Sequence, residues 1–236
     1  PDAIHAARQS ARRALLDANR ELWWSVFRAN SDNAYSLDGP AKGRRRLKNV
    51  ALAYLAADDG EAAIAAAHAQ FEGADNMTDR LAALGVLANS ARPERDAALA
   101  AFHARFAHDP LVIDKWFTTQ ALSLRADTLA EVLRLRDHPD FSRTNPNRLR
   151  ALVGAFGVNQ ARFHAEDGAG YRFLADEVLT VDRINSQTAA RIVQPLTRWR
   201  RFEAARGALM RAELERIAGT AGLSKDVTEV VTKGLA

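Results

Sequence analysis

Apolar residues recur every three or four positions along nearly the whole chain, the spacing that places side chains on one face of an α-helix. The first such run predicts one long amphipathic helix over residues 3–29, and the polar residues 30–33 end it. Aromatic residues thicken the apolar stripe near the end of this helix. The stripe consists of Ile4, Ala7, Ala11, Leu15, Ala18, Leu22 and Val26, with Trp23, Trp24 and Phe27 beside it.

Residues typical of turns and helix caps interrupt the pattern about every 15–20 residues, which leaves short connections. Two of these starts place a good N-cap residue directly before a proline at the first helical position. The predicted starts are Asp38-Gly39-Pro40, Asp58-Asp59-Gly60, Thr78, Pro93, Asp109-Pro110, Thr128, Asn145-Pro146, Asp167-Gly168, Asn185-Ser186, Arg200 and Lys225. The predicted buried positions include Leu47, Val50, Ala51, Tyr54 and Leu55 after the first start, and Ala97, Ala101 and Ala104 after Pro93.

This alternation predicts an all-α protein made of antiparallel helix pairs. We expect a single repeat domain over residues 1–236, an irregular superhelical stack similar to HEAT or armadillo repeats. An ordinary helical bundle is the alternative, and it is disfavoured because so many pairs cannot share one bundle core.

Composition supports helices and excludes several classes of protein. The 236 residues include 48 Ala and 28 Arg, both strong helix formers, and no Cys. A disulfide scaffold and a Cys-ligated metal site are therefore excluded. The formal net charge of +4 is weak evidence for nucleic acid, and no apolar run approaches the roughly 18 residues of a membrane span. Because the chain starts at Pro1 without a signal-peptide pattern or an initiator Met, we expect a fragment of a longer protein.

The sequence shows no catalytic constellation at a diagnostic spacing. The six His are scattered, and neither H-E-x-x-H nor a glycine-rich phosphate loop occurs. In the densest polar cluster, His164 and Glu166 could act as acid and base. We favour a structural interpretation, in which Asp167 caps a helix near Gly168 and His164 hydrogen-bonds a neighbouring turn. The Gly168 and Gly170 pair then suits a tight loop where two backbones approach closely.

Two basic features have competing interpretations. The five cations within residues 42–48 form either a phosphate-binding patch or a solvated helix face. The second is favoured because Arg45 points away from the face that Arg44 and Lys48 share. Arg148 lies in the first turn of a helix, where a cation opposes the helix dipole and usually has a specific anionic partner. That partner is an internal carboxylate, a ligand carboxylate or another domain.

Four segments of the chain are distinctive when taken together. They are residues 75–84, residues 111–117, residues 145–150 with 154–156, and residues 163–171. In this order and spacing they resemble the C-terminal helical domain of bacterial aminopeptidase N, which belongs to the M1 family of zinc metallopeptidases. The resemblance covers nearly the whole chain.

The resemblance implies that the catalytic residues lie outside this chain, in another domain of a longer protein. In that family the zinc site belongs to a preceding catalytic domain, so this chain is expected to hold no cofactor and to be inactive alone. The helical domain closes over the catalytic domain and limits access to an internal chamber. The implied partners are the upstream catalytic domain of the same polypeptide and peptide substrates, without nucleic acid or membrane. The parent would be a cytoplasmic alanyl aminopeptidase that removes N-terminal residues from peptides.

The resemblance also implies three residues that line the substrate chamber. Arg148 is the first candidate, and Gln187 and Arg191 are the next. Ser186 stands where the family usually has proline, and serine can still start this helix. An arginine keeps its charge and can bind a peptide's C-terminal carboxylate through two parallel hydrogen bonds. No catalytic residue and no metal ligand is assigned to the chain.

Two other functions stay open on the sequence. A helical-repeat scaffold with no peptidase link would present a concave face to a protein partner. A basic nucleic-acid module would use residues 42–48, with affinity that falls steeply as salt rises. If a catalytic domain is missing, the face that meets it should carry a large exposed apolar patch.

Overall fold

The computed structural model describes residues 1–31 and 34–236, which form helices and connections without a strand. Helix accounts for 73% of the residues, so the all-α prediction is confirmed. None of the helices in this described part is both long and apolar enough to cross a membrane. The chain divides into two compact units, residues 2–108 and residues 109–236 with Pro1. The single domain over residues 1–236 stays a prediction.

The unit of residues 2–108 is built from helices that pack on their neighbours in the sequence. Its helices are α1 (Asp2–Ala29), α2 (Gly39–Leu55), α3 (Glu61–Gly73), α4 (Met77–Leu87) and α5 (Glu94–Phe106). Helix α1 packs on α2, and α3 packs on α4. A 3₁₀ turn, Ala56–Asp58, follows α2. Asp32 and Asn33, which were predicted to help end α1, lie outside the described residues.

The unit of residues 109–236 has shorter and less regular helices. They are α6 (Pro110–Ala121), α7 (Thr128–Arg136), α8 (Pro146–Leu149), α9 (Ala155–Gly157), α10 (Ala169–Asp182), α11 (Ser186–Ile192), α12 (Ala204–Ala218) and α13 (Lys225–Leu235). A π-helical turn, Arg150–Gly154, joins α8 to α9. The helix predicted to start at Arg200 starts at Ala204 instead, because a 3₁₀ segment, Leu196–Arg201, ends at the extended residue Phe202.

Local capping residues start most helices where the sequence predicts. The Asp109 carboxylate accepts hydrogen bonds from the backbone N–H groups of Leu111 and Val112, at 3.0 and 3.3 Å. One predicted cap is wrong: Thr78 lies inside the first turn of α4, and Asn76 is the N-cap. The Asn76 side-chain oxygen accepts from the Asp79 N–H at 2.9 Å, which starts the helix one residue before Thr78.

Helix α1 turns much of its apolar stripe toward solvent. Ile4 and Leu22 are 61% and 59% exposed, whereas Leu16, which is outside the stripe, is fully buried. Trp23, Trp24 and Phe27 pack around Leu16. Asn19 adopts φ −136° and ψ 24°, which interrupts the regular helix that was predicted. The stripe from Ile4 to Leu22 is therefore left as an exposed apolar face of this unit.

Helix α2 buries only part of the face that was predicted for it: Ala51 and Leu55 are buried as expected. Leu47 and Val50, predicted to be buried, are exposed. Lys48 is buried instead, because its ammonium nitrogen lies 2.7 Å from the Asp79 carboxylate on α4. A lysine side chain is rarely buried without such a partner, and the partner lies 31 residues away.

Helix α5 is also rotated relative to its prediction. The three alanines predicted as its apolar face, Ala97, Ala101 and Ala104, are exposed. The buried face carries Leu99 and Phe102, whose larger side chains remove more apolar area from water than alanines can.

Candidate functional site

Arg148 lies in α8, directly after the Asn145-Pro146 start. The Asn145 side-chain oxygen accepts from the N–H groups of Asn147 and Arg148, at 3.0 and 3.3 Å. This cap holds the arginine in the first helical turn, as predicted. Its side chain is buried, with the guanidinium carbon 5.0 Å from the centre of the Phe117 ring.

The guanidinium of Arg148 is held by partners inside its own unit. The Nε atom donates to the Asp114 carboxylate at 2.5 Å, and Nη2 donates to the Pro110 carbonyl at 3.2 Å. The Nη1 atom donates to the Asp140 carbonyl. Of the partners that the sequence left open, an internal carboxylate is the one observed. These bonds tie the start of α8 to α6, and the placement of Arg148 at a chamber wall stays a prediction.

Gln187 and Arg191 lie one helical turn apart on α11, so their side chains share one face. Both side chains are exposed. Arg191 occupies the last turn of α11, where a cation is favoured by the helix dipole. An amide next to a guanidinium can donate several hydrogen bonds to one carboxylate. The pair is therefore chemically suited to an anionic ligand, and its role in a substrate chamber stays a prediction.

Ser186 keeps the start of α11 in place without the family's usual proline. The Asn185 side chain accepts from the Thr188 N–H at 2.9 Å, which makes Asn185 the N-cap. The Ser186 hydroxyl donates to the Asp226 carboxylate on α13 at 2.6 Å. The serine therefore adds a bond between helices that a proline could not make.

His164 and Glu166 do not form an acid–base pair. The His164 imidazole is buried, stacks on the Phe202 ring at 4.2 Å between centroids, and shares a 2.9 Å hydrogen bond with the Tyr171 hydroxyl. The Glu166 side chain is 84% exposed. Asp167 accepts from the Ala169 N–H at 2.9 Å. The cluster is therefore structural, as favoured, but Gly168 is the N-cap of α10, and His164 bonds a side chain of that helix rather than a turn.

We expect the protein to lose stability as pH falls below 6.5, because His164 is neutral in the folded state. Burial, helped by the positive charge of Arg206, lowers the pKa of His164 from 6.5 to about 4. The unfolded chain protonates His164 at a higher pH than the folded protein does. The stabilisation that His164 provides is therefore fully present above pH 6.5 and is lost as the pH falls to 4. The full loss amounts to about 3 kcal/mol.

Denaturant titrations over this pH range measure the loss. His164→Phe is less stable at neutral pH because Tyr171 loses its partner, but its stability should fall less steeply with acid. Equal pH slopes for the two proteins would contradict this prediction.

A buried polar network in the other unit was not predicted from the sequence. The Asp79 carboxylate accepts from Lys48 at 2.7 Å, from the Asn49 amide at 2.8 Å and from the Asn76 amide at 3.1 Å. The Asn49 oxygen in turn accepts from the Gln70 amide at 2.8 Å. The capping residue Asn76, three residues before Asp79, is the sequence signal that could have indicated this network.

The paired, capped helices define a helical-repeat domain. The chain belongs to the family described as "Domain of unknown function (DUF3458_C) ARM repeats", which it matches over residues 1–236. The predicted likeness to armadillo-type repeats is confirmed at the level of the family.

Its relatives are bacterial aminopeptidases. Aminopeptidase N of Caulobacter vibrioides is 44% identical over 240 residues, which take in 100% of this chain and 28% of the relative. Aminopeptidase N of Escherichia coli K12 is 39% identical over 237 residues, with 100% and 27% covered. The structure of Legionella pneumophila aminopeptidase A in complex with aspartic acid has a TM-score of 0.91 and 31% identity, over 99% of this chain and 28% of that one. The chain thus spans little more than a quarter of its relatives' length and corresponds to the C-terminal part of the aminopeptidase N sequences, which confirms the resemblance.

Proposed function

We propose that this chain is the non-catalytic C-terminal domain of a zinc-dependent aminopeptidase N. In this proposal it caps the active-site chamber and limits which peptides enter, while the whole enzyme removes N-terminal residues in the cytoplasm. The zinc belongs to the upstream domain. The observation that carries the proposal is the match of the entire chain to the C-terminal part of aminopeptidase N from several bacteria.

The exposed apolar face of α1 is evidence that a neighbouring domain covers it. Ile4, Leu15 and Leu22 expose large apolar side chains along one helix. A row of this kind is more favourably buried against another surface than left in water. We propose that the upstream catalytic domain covers it.

Gln187 and Arg191 supply the substrate contact in this proposal. Their exposed side chains would bind the C-terminal carboxylate of a peptide whose N-terminus lies at the zinc. Arg148 keeps its proposed position at the chamber wall, where its bond to Asp114 holds α8 in place. Its internal partners leave direct carboxylate binding to the pair on α11.

We expect Arg191→Gln, tested in this chain joined to its upstream catalytic domain, to weaken binding of peptides that end in a free carboxylate. KM for such a tripeptide should rise about tenfold, with kcat nearly unchanged, because one charge-assisted contact made before the reaction is lost. The same tripeptide with an amidated C-terminus, and alanyl-p-nitroanilide, should show no comparable change. Steady-state kinetics on the three substrates provide the measurement.

Arg183→Gln is the matched control, because it removes an exposed cation from the end of α10 and should leave all three KM values unchanged. An equal rise in KM for the free and amidated peptides would refute the carboxylate contact. Zinc-dependent hydrolysis of alanyl-p-nitroanilide by the isolated chain would refute the non-catalytic role itself. If this chain were instead a scaffold unrelated to peptidases, joining it to the catalytic domain would leave the turnover of that domain unaffected.

A further inference from the structure

A groove in the unit of residues 2–108 runs beside α2 and has a volume of about 610 Å³. Its walls come from the segment before α2, from one face of α2 and from the first turns of α4. Among the described residues that line it, three are cationic and none is acidic. The proposed function does not use this surface.

The cations of the groove lie in electrostatically unfavourable positions. Lys42 and Arg46 are one turn apart on α2, so two like charges face each other on the same side of the helix. Lys42 also lies near the N-terminus of α2, where the dipole disfavours a cation. Both side chains are exposed, and no described carboxylate forms an ion pair with either. An anion bound between them would relieve both effects.

The Arg45 side chain is fixed in position at the same surface. Its Nη1 atom donates to the Ser36 carbonyl at 2.7 Å, and its guanidinium carbon lies 4.9 Å from the centre of the Tyr35 ring. The third positive charge of the groove, the Arg45 guanidinium, is therefore preorganised before any ligand binds.

The floor of the groove supplies no free negative charge. Asn49 lines it, and both ends of its amide are bound, to Asp79 and to Gln70. Asp79 itself is buried and paired with Lys48. The residues that line the groove therefore carry a net positive charge, although Asp38, just outside the lining, interacts with Arg45.

Apolar side chains line the groove together with these cations. Leu37 is 66% exposed and Val50 is 40% exposed, and both line the groove. Exposed aliphatic side chains next to cations match a partner that carries acidic and aliphatic groups together. A nucleic acid offers phosphates but no aliphatic side chains, and Tyr35, the one aromatic residue among the described lining, already stacks on Arg45.

We propose that this groove binds an extended peptide segment that carries glutamate or aspartate residues together with aliphatic ones. The carboxylates meet Lys42, Arg45 and Arg46, and the aliphatic side chains cover Leu37 and Val50. The groove shares no residue with the carboxylate contact proposed on α11.

Fluorescence anisotropy on the whole chain tests this with a fluorescein-labelled peptide of sequence Glu-Leu-Glu-Glu-Leu-Glu. The matched peptide with Gln in place of every Glu should bind at least about tenfold more weakly, since the charge-assisted contacts are lost. The double variant Lys42→Gln/Arg46→Gln should weaken binding of the acidic peptide by a similar factor. Its control, Arg183→Gln/Lys225→Gln, makes the same change in net charge at exposed positions of the other unit and should bind within about twofold of the parent.

The apolar half of the proposal has its own variant. Leu37→Ser should weaken binding of the acidic peptide about threefold or more, because it removes an aliphatic contact. Equal affinity for the Glu and Gln peptides, or full affinity in the Lys42→Gln/Arg46→Gln variant, would overturn the proposal. The proposal would also be overturned if a single-stranded oligonucleotide bound more tightly than the peptide and its affinity were unchanged in the Leu37→Ser variant. Self-association that this double variant abolishes would instead assign the groove to a second copy of the chain.

Discussion

Gly170→Ala is expected to destabilise the protein by about 3 kcal/mol or more, the largest effect we predict for a single methyl group. Gly170 lies in the first turn of α10, where a Cβ atom would come within 2.3 Å of the Phe163 carbonyl oxygen and 3.0 Å of its carbon. The obstructing atoms are backbone, so no side chain can rotate away to accept the methyl group. The loop and the helix would have to separate, disturbing the buried rings of Phe163, His164 and Tyr171.

Thermal unfolding of Gly170→Ala beside Gly85→Ala isolates this effect. Gly85 lies inside α4 with open space around its Cα, so alanine there should stabilise the protein by up to about 1 kcal/mol through its better helix propensity. The two substitutions are chemically identical and should act in opposite directions. A Gly170→Ala variant as stable as the parent would show that the two backbones are not in contact.

Asp79→Asn is expected to cost about 3–5 kcal/mol, because it leaves the Lys48 ammonium buried without a counter-charge. The two side chains are only 10% and 6% exposed and lie 2.7 Å apart. Burial alone would raise the pKa of Asp79, but the hydrogen bonds from Lys48, Asn76 and Asn49 outweigh it and the pKa lies below its ordinary value. The stabilisation by Asp79 should therefore persist at neutral pH and disappear only as acid brings the pH down through this lowered pKa.

A double-mutant cycle measured by urea denaturation distinguishes charge from packing. Adding Lys48→Met to Asp79→Asn removes the unpaired charge and should recover most of the lost stability. Asp96→Asn is the control: its pair with Arg95 is exposed at the aspartate, and the change should stay below about 0.5 kcal/mol. Simple additivity of the two substitutions in the cycle would contradict a coupled buried pair.

Helix starts were the features most accessible from sequence, because a cap acts over a few residues. Asp109-Pro110 and Asn145-Pro146 place the capping oxygen two or three residues from the N–H groups that it accepts from. The close approach at Gly170 was predicted for a similar local reason, since only glycine tolerates backbone at such a distance. Thr78 was mistaken for a cap because Asn76 offers the same chemistry two residues earlier.

The candidate site was predicted only in part. Gln187 and Arg191 share an exposed face of α11, as their spacing requires. For Arg148 the sequence indicated an anionic partner without identifying it. Asp114 lies 34 residues away in the chain, and no local pattern connects the two.

The sequence by itself determined the helices, most of their starts and the family to which the chain belongs. These follow from interactions between residues a few positions apart and from an extended run of shared motifs. Only the tertiary structure decided which helix faces are buried and which charges are paired. Lys48 is buried because Asp79 meets it from another helix, and that rotates Leu47 and Val50 of α2 into solvent. Burial of a charge depends on a partner brought near by folding, and the spacing of residues along one helix does not contain that information.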